Sequence, residues 1–164
     1  MFAAVDVQYL PSGEARAALV AAPSAAFAEI VLEKTVVVAE VAPYQPGAFY
    51  LRELPCLRAL LDGMDGLALL VVDGNVDLDP AGKPGLGMRA HLEFGVPVIG
   101  VAKTPFSTAT HAVPVVRGNA IRPLYVTSVG LPVTEAAETV RTMAGPYRLP
   151  DALRRVDALA RSRD

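Results

Sequence analysis

Residues 66–75 read GLALLVVDGN. The apolar run from Leu67 to Val72 is bounded by glycine and stops at Asp73–Gly74. A short, continuous apolar run of this kind reads as a central strand covered on both faces. Such a strand needs helices on both sides of its sheet, which implies an α/β layer architecture. It also ends in an acid, and acids at the ends of buried strands need a physical reason.

Upstream, FAAVDVQYL (2–10), EARAALVAAP (14–23) and AEIVLEKTVVVAEVA (28–42) read as three strands, the third long and rich in Val and Ile. Their short connections predict antiparallel neighbours. In FYLRELPCLRALLDGM (49–64), Leu54, Leu57 and Leu61 have helical spacing, and Pro55 predicts a helix starting near Glu53. Downstream, the Gly/Pro/Asp loop NVDLDPAGKPG (75–85) leads to a short helix around LGMRAHLEF (86–94). VPVIGVAK (96–103) and IRPLYVTSV (121–129) read as strands. PVTEAAETVRTM (132–143) reads as a helix with Thr134 as its candidate cap, and PDALRRVDALARSRD (150–164) as a terminal helix with a basic face. The expected fold is a mixed β-sheet flanked by helices, built as one domain over residues 1–164.

With 52% hydrophobic and 20% charged residues in 164, the chain is a folded domain and not a disordered one. A net charge of −2 advertises neither a nucleic acid nor an anionic membrane. The lone Cys56 excludes an internal disulfide and a multi-cysteine zinc site, and its apolar surroundings predict a buried, inert thiol. No segment has the length of a membrane span, so the expected location is cytoplasmic.

Three acids carry the chemical argument. Asp6 interrupts the first strand, Asp73 closes the central one, and Glu53 opens the helix after a Pro/Gly loop. Each alone has a bland reading, as edge residue, turn or first-turn helix acid. Together they suit a hard cation that takes oxygen ligands, as in metal-assisted phosphodiester hydrolysis. Asp77 and Asp79 resemble part of a calcium loop, but Pro84 stands where its last carboxylate belongs, so solvated loop acids are expected. GKPGLG (82–87) lacks the Lys-Ser/Thr ending of a phosphate-binding loop. Lys103 could contact phosphate or mark a solvated strand end. His91 and His111 are expected in structural or surface roles.

In order along the chain, DVQY (6–9), PYQPGAFYLRE (43–53), LLVVDG (69–74), IGVAK (99–103), RPLYVTSVG (122–130) and GPYRLPDALRRVDALA (145–160) resemble motifs of the endonuclease V family, the deoxyinosine-directed repair nucleases. The resemblance implies a ribonuclease H-like fold and cleavage of nucleic acid, DNA or RNA, near inosine or deoxyinosine. It implies Mg²⁺, with Mn²⁺ an alternative, held by Asp6, Glu53 and Asp73 as catalytic residues. It also implies a wedge loop at the damaged base, with Tyr44 the wedge and Pro43, Pro46 and Gly47 shaping it, and Lys103 near the phosphate. Where the family has a His and two Arg after the second Asp, this chain has acids and Lys83, so weak nucleic-acid binding is expected. Two other functions stand beside this one: an inactive protein on the same fold that binds nucleic acid or a protein partner, and hydrolysis of a small phosphorylated nucleotide.

Overall fold

The computed structural model describes residues 1–39 and 50–162. Among these residues, seven strands form one mixed sheet: β1 (Phe2–Tyr9), β2 (Ala15–Ala22), β3 (Leu32–Val38), β4 (Leu69–Asp73), β5 (Val98–Ala102), β6 (Val113–Val115) and β7 (Leu124–Val129), in the order β3-β2-β1-β4-β5-β7-β6. The first three strands are antiparallel neighbours, β1 with β2 in the register Phe2↔Ala22 to Tyr9↔Ala15. β1, β4 and β5 run parallel at the centre, and β7 returns antiparallel to β5.

Among the described residues, four helices cover the sheet: α1 (Tyr50–Leu61), α2 (Leu86–Phe94), α3 (Val133–Thr142) and α4 (Asp151–Arg161). Alternate residues of the central strands point to opposite faces. Ala3, Val5, Leu70, Val72 and Val98 pack with Cys56, Leu57, Leu60 and Ala90 of α1 and α2. Ala4, Val71, Ile99 and Val101 pack with Ala136, Val140, Ala152 and Val156 of α3 and α4. β2 is almost wholly buried, and its alanines let helices approach the sheet from both sides. Lys34 of β3 donates to the carbonyls of Leu60 (2.9 Å) and Ala59 (3.3 Å), a cation at the carbonyl-rich end of α1.

Two local expectations need correcting, and one strand was not expected. α1 begins at Tyr50 and not near Glu53, so Pro55 lies inside it. The buried face of Glu53, Cys56, Leu57 and Leu60 outweighs the hydrogen bond that the proline deletes. Thr134 does not cap α3; Pro132 holds the cap position without a side-chain hydrogen bond. β6 was not anticipated, because three residues including Pro114 carry too little pattern. Among the described residues, no helix is long and apolar enough to cross a membrane.

Candidate active site

The site starts from strand register. β1 and β4 pair in parallel with Ala4↔Val71. Two residues further on, the same register sets Asp6 beside Asp73, on the face covered by α4. Both acids line two narrow crevices, together with Val5 and Val72. One crevice adds Glu53, Leu57 and Leu86; the other adds Lys103, Leu153 and Asp157. Their free volumes, about 20 and 10 Å³, are on the scale of one water or one ion. Asp73 also borders an open groove of about 400 Å³, walled by Asn75, Lys103, Thr104 and Phe106.

The loop leaving Asp73 is pinned. The hydroxyl of Thr127 accepts a hydrogen bond from Val76 N–H at 2.8 Å in the interior. Gly100 makes room beneath it, since a Cβ there would collide with the Gly74 carbonyl and the Thr127 hydroxyl.

Asp6 is only 7% exposed. The Val7 N–H donates to its Oδ1 at 2.9 Å, and Gln8 Nε2 approaches Oδ2 at 3.4 Å. Glu53, 5% exposed, enters from the α1 side and accepts a 2.7 Å hydrogen bond from the Tyr9 hydroxyl. Tyr9 lies on β1, so the strand that presents Asp6 also orients Glu53. Burial, and then Glu53, push the Cys56 thiol up to about 11, which makes it inert as a nucleophile.

Burial, the charge of Asp73 and a hydrogen bond with Asp157 raise the Asp6 carboxyl to about 7. Burial also raises Asp73, against the pull of Lys103, while Asp157 adds to the rise. For Asp157 the balance goes the other way. Burial pushes it up, but hydrogen bonds from Arg161 and Asp6 and the charge of Lys103 hold it below the usual range. Arg161 Nε lies 3.0 Å from both Asp157 oxygens, and Lys103 Nζ is 3.9 Å from Oδ1. Asp6, Asp73 and Asp157 thus crowd one strand end, with Lys103 and Arg161 as near cations, and Glu53 lines the adjoining crevice on the α1 side.

Donor chemistry decides what could settle there. All four groups are oxygen donors, and the raised Asp6 carboxyl keeps a proton that it shares with Asp157 in a hydrogen bond. A hard divalent cation fits such a set by replacing that proton and offsetting the mutual repulsion. The side chains line crevices and do not close a cage: among the described residues, no three His, Cys, Asp or Glu stand ready to hold an ion.

The structure therefore brings Asp6, Glu53, Asp73 and Lys103 together. It adds Asp157, which the sequence reading missed inside a basic-looking helix. Pro43, Tyr44, Pro46 and Gly47 lie outside the described residues. Asp77 is not a solvated loop acid: His111 Nε2 lies 2.6 Å from its Oδ1, tying two loops together. Asp79 accepts the Lys83 N–H at 3.0 Å, which closes its own loop. His91 Nδ1 meets the Val96 carbonyl at 2.7 Å beyond the end of α2, a structural role.

Comparison with known proteins follows the same line. A family model of endonuclease V matches residues 1–131. Endonuclease V of Streptomyces coelicolor is 32% identical over 96% of this chain and 76% of its own. The crystal structure of endonuclease V from Streptomyces avermitilis superposes with a TM-score of 0.79 at 29% identity, covering 98% of this chain and 79% of that one. The D234N variant of Ciona intestinalis endonuclease V, in complex with a 23mer DNA containing an inosine followed by a ribo-adenosine, gives a TM-score of 0.82 at 17% identity, covering 98% and 83%. That likeness speaks for the shared ribonuclease H-like fold. With most of its length matched by the family model and by a relative at 32% identity, the chain belongs to the endonuclease V family of nucleases.

Proposed function

We propose that this chain is a metal-dependent endonuclease that hydrolyses a phosphodiester near deaminated bases, inosine or deoxyinosine, in nucleic acid. Asp6, Glu53 and Asp73 would hold Mg²⁺ or Mn²⁺, with Asp157 beside them. The observation that carries this is the crowding of Asp6, Asp73, Glu53 and Asp157 around shared crevices, where Asp6 keeps a proton up to about pH 7. When bound, a divalent cation supplies an activated water and offsets charge on the leaving oxygen.

The chain's own groups have separable tasks. Tyr9 orients Glu53 through its hydroxyl. Lys103 lines both the crevice and the open groove, and from there it would contact a substrate phosphate. The groove beside Asp73 is large enough for a base out of its stack, with the half-exposed Phe106 as an apolar wall. Tyr44 and its flanking Pro43, Pro46 and Gly47 would be the wedge.

Binding should be weak. Arg117 and Arg148 donate to backbone carbonyls, and Arg155 pairs with Glu33 at 2.8 Å. Among the described residues fewer cations are then left for phosphates, so affinity should be low and its salt slope shallow. The test is cleavage of single- and double-stranded substrates with and without inosine, in Mg²⁺, Mn²⁺ or EDTA. Inosine-dependent, metal-dependent nicking is expected; no nicking with either metal would refute the proposal.

A further inference from the structure

Asp157, on α4, lines the same crevice as Asp6, and α4 follows an irregular segment, residues 143–150. Something must fix that segment for α4 to meet the sheet in one place. Arg117, in the turn between β6 and β7, is 5% exposed. Its guanidinium donates to the carbonyls of Met143 (2.6 Å), Tyr147 (2.8 Å), Gly145 (2.9 Å), Arg141 (3.4 Å) and Arg148 (3.4 Å). Among the described residues no carboxylate is in ion-pair contact with it, although Asp151 lends charge nearby. A buried cation hydrogen-bonded to carbonyls, with no carboxylate in contact, is a costly tie for an ordinary turn.

The tie is returned from the other side. Arg148 donates to the carbonyls of Pro123 (2.9 Å), Arg122 (3.1 Å) and Lys103. Lys103 lines the same crevice as Asp157. The two arginines thus interlock three segments, one ending at Lys103 and another leading to Asp157. Gly118, at φ 59°, lets the turn approach that closely, since a Cβ there would run into the Pro146 carbonyl.

We infer that Arg117 is a positioning residue: with Arg148 it fixes the approach of α4 and so holds Asp157 and Lys103 against Asp6 and Asp73. This inference rests on the nuclease reading of that crevice. A lysine at 117 offers one ammonium in place of a five-donor fork, so it cannot span the same carbonyls.

Two measurements on the full chain test it. In hydrogen exchange, Arg117→Lys should speed exchange in 143–150 and α4 by about tenfold or more, with β1, β4 and β5 unchanged; unaltered α4 exchange overturns the inference. In Mn²⁺ titrations, Arg117→Lys should weaken binding by about 10- to 100-fold, the range for outer groups that orient ligands. In an Asp157→Asn background the same substitution should add little, because it acts through Asp157. Equal losses in both backgrounds, or unchanged Mn²⁺ affinity, overturn it. Should Arg117→Lys fail to fold, Arg148→Lys loosens the same joint from the other side and is judged by the same outcomes. Failure of the wild-type chain to bind Mn²⁺ would sink the nuclease reading instead, and the exchange experiment would still decide whether Arg117 holds α4.

Discussion

Replacing Asp6 by Asn should stabilise the metal-free protein, and increasingly so as the pH rises. The Asp6 carboxyl sits at about 7 in the folded chain against an ordinary 3.8. The folded state therefore keeps a proton that the unfolded state releases. A raised folded pKa contributes stability that is complete below about 4 and is lost as pH climbs through about 7. Three units at roughly 1.36 kcal/mol each give about 4 kcal/mol as the ceiling. Because Asp6 borders crevices that admit water, a loss of about 2–4 kcal/mol between pH 4.5 and 7.5 is expected. Asp157, held low, contributes with the opposite sign, but Arg161 keeps most of that contribution in either variant. The asparagine keeps the size and cannot ionise, so it is spared this loss. Urea unfolding in EDTA across that range measures it, with the difference between Asp6→Asn and wild type read at each pH. The difference should widen in favour of Asp6→Asn and level off above about pH 8. A flat difference, or one that narrows with pH, would show that Asp6 is not a crowded carboxyl holding a proton.

Asp73→Asn should abolish Mg²⁺-supported nicking of inosine strands while the circular dichroism spectrum and melting stay close to wild type; undiminished nicking removes Asp73 from the chemistry. Tyr9→Phe should cost about 1 kcal/mol for the hydroxyl bond to Glu53 and lower cleavage more than it lowers substrate affinity, as kinetics at saturating substrate would report. Leu60→Ala, at a fully buried position of α1, should cost about 2–5 kcal/mol in urea unfolding without altering metal affinity by more than a few-fold. Duplex binding should be weak with a shallow salt slope, and tight binding that falls steeply with salt would show that more cations reach phosphates than the engagement of Arg117, Arg148 and Arg155 within the fold leaves.

The central fold was legible because its signals are local and strong. GLALLVVDGN carries the buried central strand, and the short links among the first three strands predict their antiparallel pairing. Asp6 and Asp73 were legible for a related reason: a charge set into an apolar strand stands out. Asp157 was not. It lies one position from Val156 on a helix whose arginines dominate its appearance, and nothing local says that this acid faces a sheet. The buried stripe Ala152, Val156 and Ala160 is the one signal that could have found it, since it turns the neighbouring position toward the strand ends. Arg117 is one of 15 Lys and Arg residues, and nothing in its local sequence marks it out. Its burial depends on carbonyls about 30 residues further along, which no local pattern encodes.

The most direct test is anomalous diffraction from crystals soaked in Mn²⁺ at pH 8, where Asp6 has given up its proton. A manganese peak is expected between Asp6 and Asp73, within ligand distance of Glu53 or Asp157 and about 2.2 Å from the oxygens that hold it. No peak at that strand end, or a peak only elsewhere on the molecule, would contradict the metal-dependent site.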